Sequence, residues 1–211
     1  MQLPTAPYCE QTKAWPASGR HILAQYDDES IVVYQAYSPA IGHFAIKHQR
    51  FGGEFKYSRM SWIKPNFLWM MYRCDWGRSD GQQVVLGMRI RRTFFDEILA
   101  QAVPSSYVAE QFPSLEAWKA AVESSDVRLQ WDPDHLPTGQ PCERRAIQLG
   151  LRGKMLEAYG QREIVGIIDM SEFLAVQRQH VGAQSQGELL TPAERVYMPP
   201  ADVAEELGLG R

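Results

Sequence analysis

Short apolar strands that each run into a capping residue and a short amphipathic helix recur along this chain, and that repeated device limits what it can fold into. Ile31 to Tyr37 reads as a strand, Ser38 as a helix cap, and Pro39 as the first helical residue, where a missing amide hydrogen is tolerated. The helix that follows, to about Gln49, sets Ile41, Phe44, Ala45 and His48 on one face. Arg59 to Lys64 repeats the strand, and Pro65 opens a second helix to Arg73. Phe67, Leu68, Trp69, Met70, Met71 and Tyr72 make this helix apolar nearly all round, so it is expected to be buried on most sides. Gln82 to Ile90 is the next strand, with Thr93 capping a helix that buries Phe94, Phe95, Ile98, Leu99 and Ala102.

Farther on, a helix near Leu115 to Glu123 precedes a strand from Val127 to Trp131, which Asp132-Pro133 is expected to stop. Ala146 to Leu151 is a strand feeding a helix from Lys154 to Tyr159, with Gly160 as its left-handed cap. Ile164 to Ile168 is followed by a helix to about Gln179, capped by Asp169 or Ser171. Helices this short do not suit a doubly wound parallel sheet. The expected class is therefore α+β, a single domain over residues 1–180 with a mixed central sheet and short capped helices. Residues 181–211 read as a C-terminal arm docked on it. In that arm Gly182 to Gly187 looks mobile, Thr191-Pro192-Ala193-Glu194 has the form of a capping box, and Ala201 to Leu207 is a last helix ended by Gly208.

Composition narrows the function classes. With 45% apolar and 22% charged residues, the chain is an ordinary soluble globular protein. It contains no run of apolar residues long enough for a membrane span. Met1 to Glu10 lacks the basic start and apolar run of a secretory signal, so a cytoplasmic location is expected. A net charge of −3 argues against a dedicated duplex-DNA binder. Charge is nevertheless local: residues 41–73 carry Lys47, Arg50, Lys56, Arg59, Lys64 and Arg73 against Glu54 alone. Such a basic segment in a mildly acidic chain points to one anion site. Cys9, Cys74 and Cys142 form no C-x-x-C, and His43 and His48 are five apart, on different faces of a helix. Asp132, Asp134 and His135 read first as a turn, and no metal is expected.

The chain has no phosphate-binding glycine fingerprint and no hydrolase elbow. The strongest local signal is Arg59 to Arg73, a strand ending at a proline-initiated helix whose free amides favour an anion. Lys64 stands at that end, Asn66 adds a donor, and with Arg59 they could hold a phosphate. On a regular strand Arg59 and Lys64 face opposite ways, so they converge only if the strand bends or ends before Lys64. Gln35, between Tyr34 and Tyr37, is a polar residue in a strand that otherwise looks buried, and buried polar groups need partners. Arg145 and Gln148 lie near a strand start, on opposite faces if the strand is regular.

Val33-Tyr34-Gln35-Ala36-Tyr37, Arg59-Met60-Ser61-Trp62-Ile63-Lys64-Pro65 with Phe67 to Arg73, Gln130-Trp131-Asp132-Pro133 and Arg145-Ala146-Ile147-Gln148-Leu149-Gly150-Leu151 resemble the family numbered 4291 among domains of unknown function. The resemblance covers about residues 15–180 and implies a single domain. The order of parts is also similar to the ADP-ribosyltransferase layout: strand, capped helix, the Gly52-Gly53 turn, then a serine-bearing strand feeding an aromatic helix. That likeness implies an enzyme binding NAD as substrate and transferring ADP-ribose to an acceptor. Gln35 or Tyr34 would take the first-strand place and Ser61 the second. Glu143 or Gln148 would orient the ribose, although neither matches the expected glutamate cleanly. Arg59, Lys64 and Arg73 would hold pyrophosphate, Arg145 would join the same cleft, and Tyr34 or Trp62 would stack on nicotinamide. A second expectation is a non-catalytic module for single-stranded RNA or a nucleotide, because residues 41–73 interleave aromatic with basic side chains.

Overall fold

The computed structural model describes residues 3–182 and 186–210. In chain order its first strands are β1 (Thr5–Pro7), β2 (Gly19–Arg20), β3 (Ile22–Ala24), β4 (Ser30–Tyr37), β5 (Ser61–Ile63) and β6 (Val84–Arg91). They are followed by β7 (Ala102–Pro104), β8 (Val127–His135), β9 (Pro141–Leu151), β10 (Ile164–Asp169), β11 (Leu190–Pro192) and β12 (Arg195–Tyr197). The helices are α1 (Tyr8–Gln11), α2 (Pro39–His48), α3 (Phe67–Cys74), α4 (Arg92–Ala100), α5 (Leu115–Ser124), α6 (Gly153–Ala158), α7 (Ser171–Gln177) and α8 (Ala201–Glu206). This is a single mixed α+β domain. No helix among the described residues is long and apolar enough to cross a membrane.

Two sheets organise the chain. One is antiparallel, in the order β10-β6-β4. The other is mixed: β9 pairs antiparallel with β8 along one edge, while its other edge takes parallel β2 and antiparallel β5. β7 adds a parallel strand outside β8. The sheets meet through one backbone bridge just past β5, where Tyr34 N–H donates to Lys64 O at 2.7 Å and Lys64 N–H to Tyr34 O at 3.3 Å. Beyond that bridge β4 and β5 part, and the gap between them becomes the site.

Strand alternation separates two cores. Val33, Leu86, Met88 and Ile90 pack with Phe94, Phe95 and Ile98 of α4. Val32, Tyr34, Val85 and Ile168 pack with Phe67, Leu68, Met70 and Met71 of α3. α3 is the buried helix expected, with every residue inside except Tyr72 and Arg73. Its start differs from expectation: Asn66 is the cap, its Oδ1 accepting from Trp69 N–H at 2.6 Å, and Pro65 stays outside. α2 begins at Pro39 as its sequence implies and ends at Gln49, which has a left-handed φ of 54°.

Other local signals give way to tertiary pairing. β8 runs through Asp132-Pro133 to His135 because β9 extends back to Pro141 and pairs with it, with a bulge between Pro133 and His135. β7 covers the opposite edge of β8 only as far as Leu129, so Pro133 lies where no amide hydrogen is required. Thr191 and Pro192 pair with β1 instead of opening a helix. Gly160 lies in a π-helical turn, Tyr159–Glu163, where a Cβ would come within 2.5 Å of Tyr57 Oη. Arg91, and not Thr93, precedes the first turn of α4. The segment after residue 180 returns into the domain through β11 on β1 and β12 on β3. The mobility expected of Gly182 to Gly187 falls largely on residues 183–185, outside the described residues.

Candidate functional site

The gap between β4 and β5 opens into a cavity of about 590 Å³ lined by Gln35, Tyr37, Arg59, Ser61, Trp62, Lys64, Arg73, Gln82, Gln130 and Gln148 among others. Its neck is a chain of side-chain hydrogen bonds. Gln35 Nε2 donates to Ser61 Oγ at 2.7 Å and to Trp62 O at 3.1 Å, and Gln35 Oε1 accepts from Tyr159 Oη at 2.8 Å. Ser61 Oγ and Tyr37 Oη share a further bond of 2.7 Å. These contacts fill the gap where a continuous sheet would have ladder bonds, and one of them satisfies a backbone edge group, Trp62 O. Burial raises the Tyr37 and Tyr159 phenols above their ordinary range, keeping both protonated. Because both amide hydrogens of Gln35 are engaged, it acts first as a clamp between the sheets.

Lys64 dominates the electrostatics. The regular part of β5 is only Ser61–Ile63, which removes the strand-face conflict and lets Arg59 and Lys64 line one cavity. Lys64 is 5% exposed. Its Nζ has a 3.4 Å contact with Trp62 O and lies 5.3 Å from the centre of the Trp69 ring. Among the described residues no carboxylate lies within ion-pair distance of Lys64, Arg59 or Arg73. Burial, and secondarily the Arg73 charge, lowers the Lys64 ammonium to about 8, against a smaller opposing pull from Asp132. A buried ammonium beside two exposed guanidinium groups, without a counter-charge, is a site that gains from an anion.

The helix terminus expected to hold that anion is already occupied. Phe67 N–H, at the start of α3, donates to Glu194 Oε1 at 2.7 Å, and Asn66 takes Trp69 N–H. Burial raises the Glu194 carboxyl well above its ordinary range, an effect its bond from Phe67 N–H opposes. Beside it the buried Asp134 carboxylate is held by Arg144 through contacts of 2.6 and 2.7 Å. The α3 terminus is therefore closed by the protein's own acid, and the cations that face the cavity are side chains.

The floor comes from β8 and β9. Gln130 and Gln148 are directly opposed in register, and Gln148 Nε2 donates to Gln130 Oε1 and to Asp132 Oδ2, each at 2.8 Å. Gly150, two residues along on the same face, faces Trp62 across β5; a Cβ there would lie 3.0 Å from the indole and 2.7 Å from Met60 Sδ. Glycine at this position lets Trp62 lie close over the strand as a half-buried wall of the cavity.

Of the residues singled out from sequence, Gln35, Ser61, Gln148, Arg59, Trp62, Lys64 and Arg73 line this one cavity. Three do not. Tyr34 is fully buried on the opposite face of β4, edge-on to Phe67 at 5.4 Å, and contributes its backbone to the sheet bridge. Arg145 points away from Gln148, exposed, and donates to Trp131 O at 2.8 Å. Glu143 is exposed and lies five residues from Gln148, about 16 Å along an extended strand. Sequence reasoning missed Tyr37, Gln82, Gln130 and Tyr159 as partners, and it read Asp132 first as part of a turn. The Gln130/Asp132 alternation on a strand opposite Gln148 was the available signal.

Comparison with curated proteins gives no match. A family model matches residues 21–197, which span β3 to β12 and so include both sheets except the two-residue β2, and every residue of the cavity. The chain belongs to the family described as Domain of unknown function (DUF4291).

Proposed function

We propose that the cleft between the two sheets binds NAD or a related nucleotide, with its phosphates on Lys64, Arg59 and Arg73 and an aromatic ring against Trp62. The observation that carries this reading is Lys64: a buried cation without a carboxylate partner, in a polar cavity of nucleotide-compatible size. Polyanion binding supplies the missing counter-charge, and the two guanidinium groups match phosphate oxygens in geometry.

The reaction proposed for such a ligand is ADP-ribosyl transfer. The bond between the ribose C1′ and the nicotinamide nitrogen breaks with its electron pair leaving on nicotinamide, and an acceptor nucleophile bonds to C1′ and loses its proton. Positive charge develops on the ribose in the transition state. The support proposed from this chain is Gln148, held from behind by the Asp132 carboxylate, in place of a strand glutamate. Fixed cations on the pyrophosphate and the Trp62 wall would orient the dinucleotide for that step.

The RNA reading has less support. Of the aromatics in residues 41–73 only Tyr72 is exposed, and it stacks on His135 at 3.5 Å, so no stacking ribbon runs beside the basic side chains. Calorimetric titration with NAD, ADP-ribose, ADP and a short single-stranded RNA tests the proposal. Heat with the dinucleotide or ADP-ribose, lost in Lys64→Met, is the expected result. Silence with all three nucleotides, beside clear binding of RNA, overturns it.

A further inference from the structure

The two glutamines on the cavity floor have a defined polarity. A carboxylate accepts hydrogen bonds and donates none, so Asp132 obliges Gln148 to turn its NH₂ group toward β8. The other hydrogen of that NH₂ goes to the side chain of Gln130, which must present its oxygen to receive it. One acid therefore sets the orientation of both amides, a choice that an isolated glutamine pair would leave open. The atoms remaining are Gln148 Oε1, an acceptor, and Gln130 Nε2, a donor. Neither has a partner among the described residues, and both side chains line the cavity and are half-buried. The pair is directly opposed across β8 and β9, so a neighbouring acceptor and donor face the ligand together.

We propose that this pair, polarised by Asp132, reads a ligand edge carrying an N–H donor beside an acceptor: a primary carboxamide or the amino edge of adenine. The inference rests on the cleft binding a dinucleotide, and it adds which functional group the floor selects. A ligand carboxylate satisfies Gln130 but leaves Gln148 Oε1 facing a second acceptor. An edge with donor and acceptor exchanged fails at both positions. Leaving buried polar groups mismatched is what makes such pairs selective. Asp132 is a positioning residue in this scheme.

The test measures binding of NAD, nicotinic acid adenine dinucleotide, nicotinamide hypoxanthine dinucleotide and ADP-ribose to the full chain and to two variants. The native protein should bind one of the two altered dinucleotides at least about tenfold more weakly than NAD. Loss against the nicotinic acid form identifies the carboxamide as the edge read; loss against the hypoxanthine form identifies adenine. Asp132→Asn frees both amides to turn, and the discrimination should fall to within about threefold. Gln148→Met keeps the Asp132 charge but breaks the relay, and discrimination should fall there too. If it disappears in Asp132→Asn alone, plain charge repulsion accounts for it and the relay is overturned. Equal binding of all three dinucleotides by the native protein also overturns the relay and leaves the cleft reading standing. Failure of every ligand to bind overturns both.

Discussion

Replacing Lys64 by methionine should make this protein more stable while removing the buried cation of the proposed anion site. Lys64 is 5% exposed, and among the described residues its ammonium makes one polar contact, a 3.4 Å approach to Trp62 O. Burial lowers its pKa from 10.5 to about 8. Between those two values the unfolded chain holds more protons than the folded one, so stability rises with pH across that window. Below pH 8 the folded state carries the full cost of the buried charge, about 3 kcal/mol from the separation of the two values. Methionine has a similar length and packs on Trp69, but it forfeits the cation–ring attraction, leaving a net gain of about 1–3 kcal/mol at pH 7. For a domain of this size that is a rise in Tm of roughly 2–10 °C. Thermal melts of both proteins at pH 7 and pH 10 measure it, and the gain should shrink to about a quarter at the higher pH as the native lysine loses its proton. A lower Tm for Lys64→Met at pH 7, or an equal gain at both pH values, refutes the reasoning.

The same titration governs ligand affinity: ADP-ribose binding, followed by calorimetry, should weaken as pH rises through about 8, because the neutral amine no longer attracts phosphate. Arg59→Ala and Arg73→Ala should each weaken that binding about tenfold and leave Tm almost unchanged, since both residues are exposed and pair with no carboxylate among the described residues; a large fall in Tm would show a structural role instead. Phe67→Ala or Leu68→Ala should cost about 2–5 kcal/mol in denaturant unfolding, given their complete burial in α3. Glu194→Gln should stabilise the protein at pH 8 and change little at pH 4. Burial raises this carboxyl above its ordinary range in the fold, so the unfolded chain ionises first and native stability falls as pH rises from that range; melts at the two pH values check the sign.

Much of the frame was legible because it rests on periodicity. The β4 and α3 segments carry enough apolar residues in sequence for their burial to follow from pattern alone. Gln35 stood out as a polar group in an apolar strand, Lys64 as a cation at a helix start and Ser61 through the layout likeness, and the cavity collects all three. What escaped depends on partners distant in sequence. Asp132-Pro133 carries a strong turn signal, but β9 extends to Pro141 and pairs through it, where the outer edge of β8 makes no demand on Pro133. Thr191 to Glu194 has the spacing of a capping box, yet Thr191 faces Ala6 across β1, and Glu194 caps a different helix far earlier in the chain. Glu143 was attractive by residue type alone, and five residues of extended strand carry it away from the floor.

The single bridge between Tyr34 and Lys64 joins the two halves of the cleft, and one of its residues also carries the buried ammonium. The joint and the charge are therefore the same residue. An anion that neutralises Nζ removes a penalty on the folded arrangement of Lys64 and so favours the state in which its backbone stays paired. Amide hydrogen exchange at Tyr34, whose N–H closes on Lys64 O at 2.7 Å, becomes a reporter of occupancy for a ligand that touches neither backbone group. Slowed exchange there, with the outer β10 amides unaffected, would be the mark of a latch tightened by its cargo's charge.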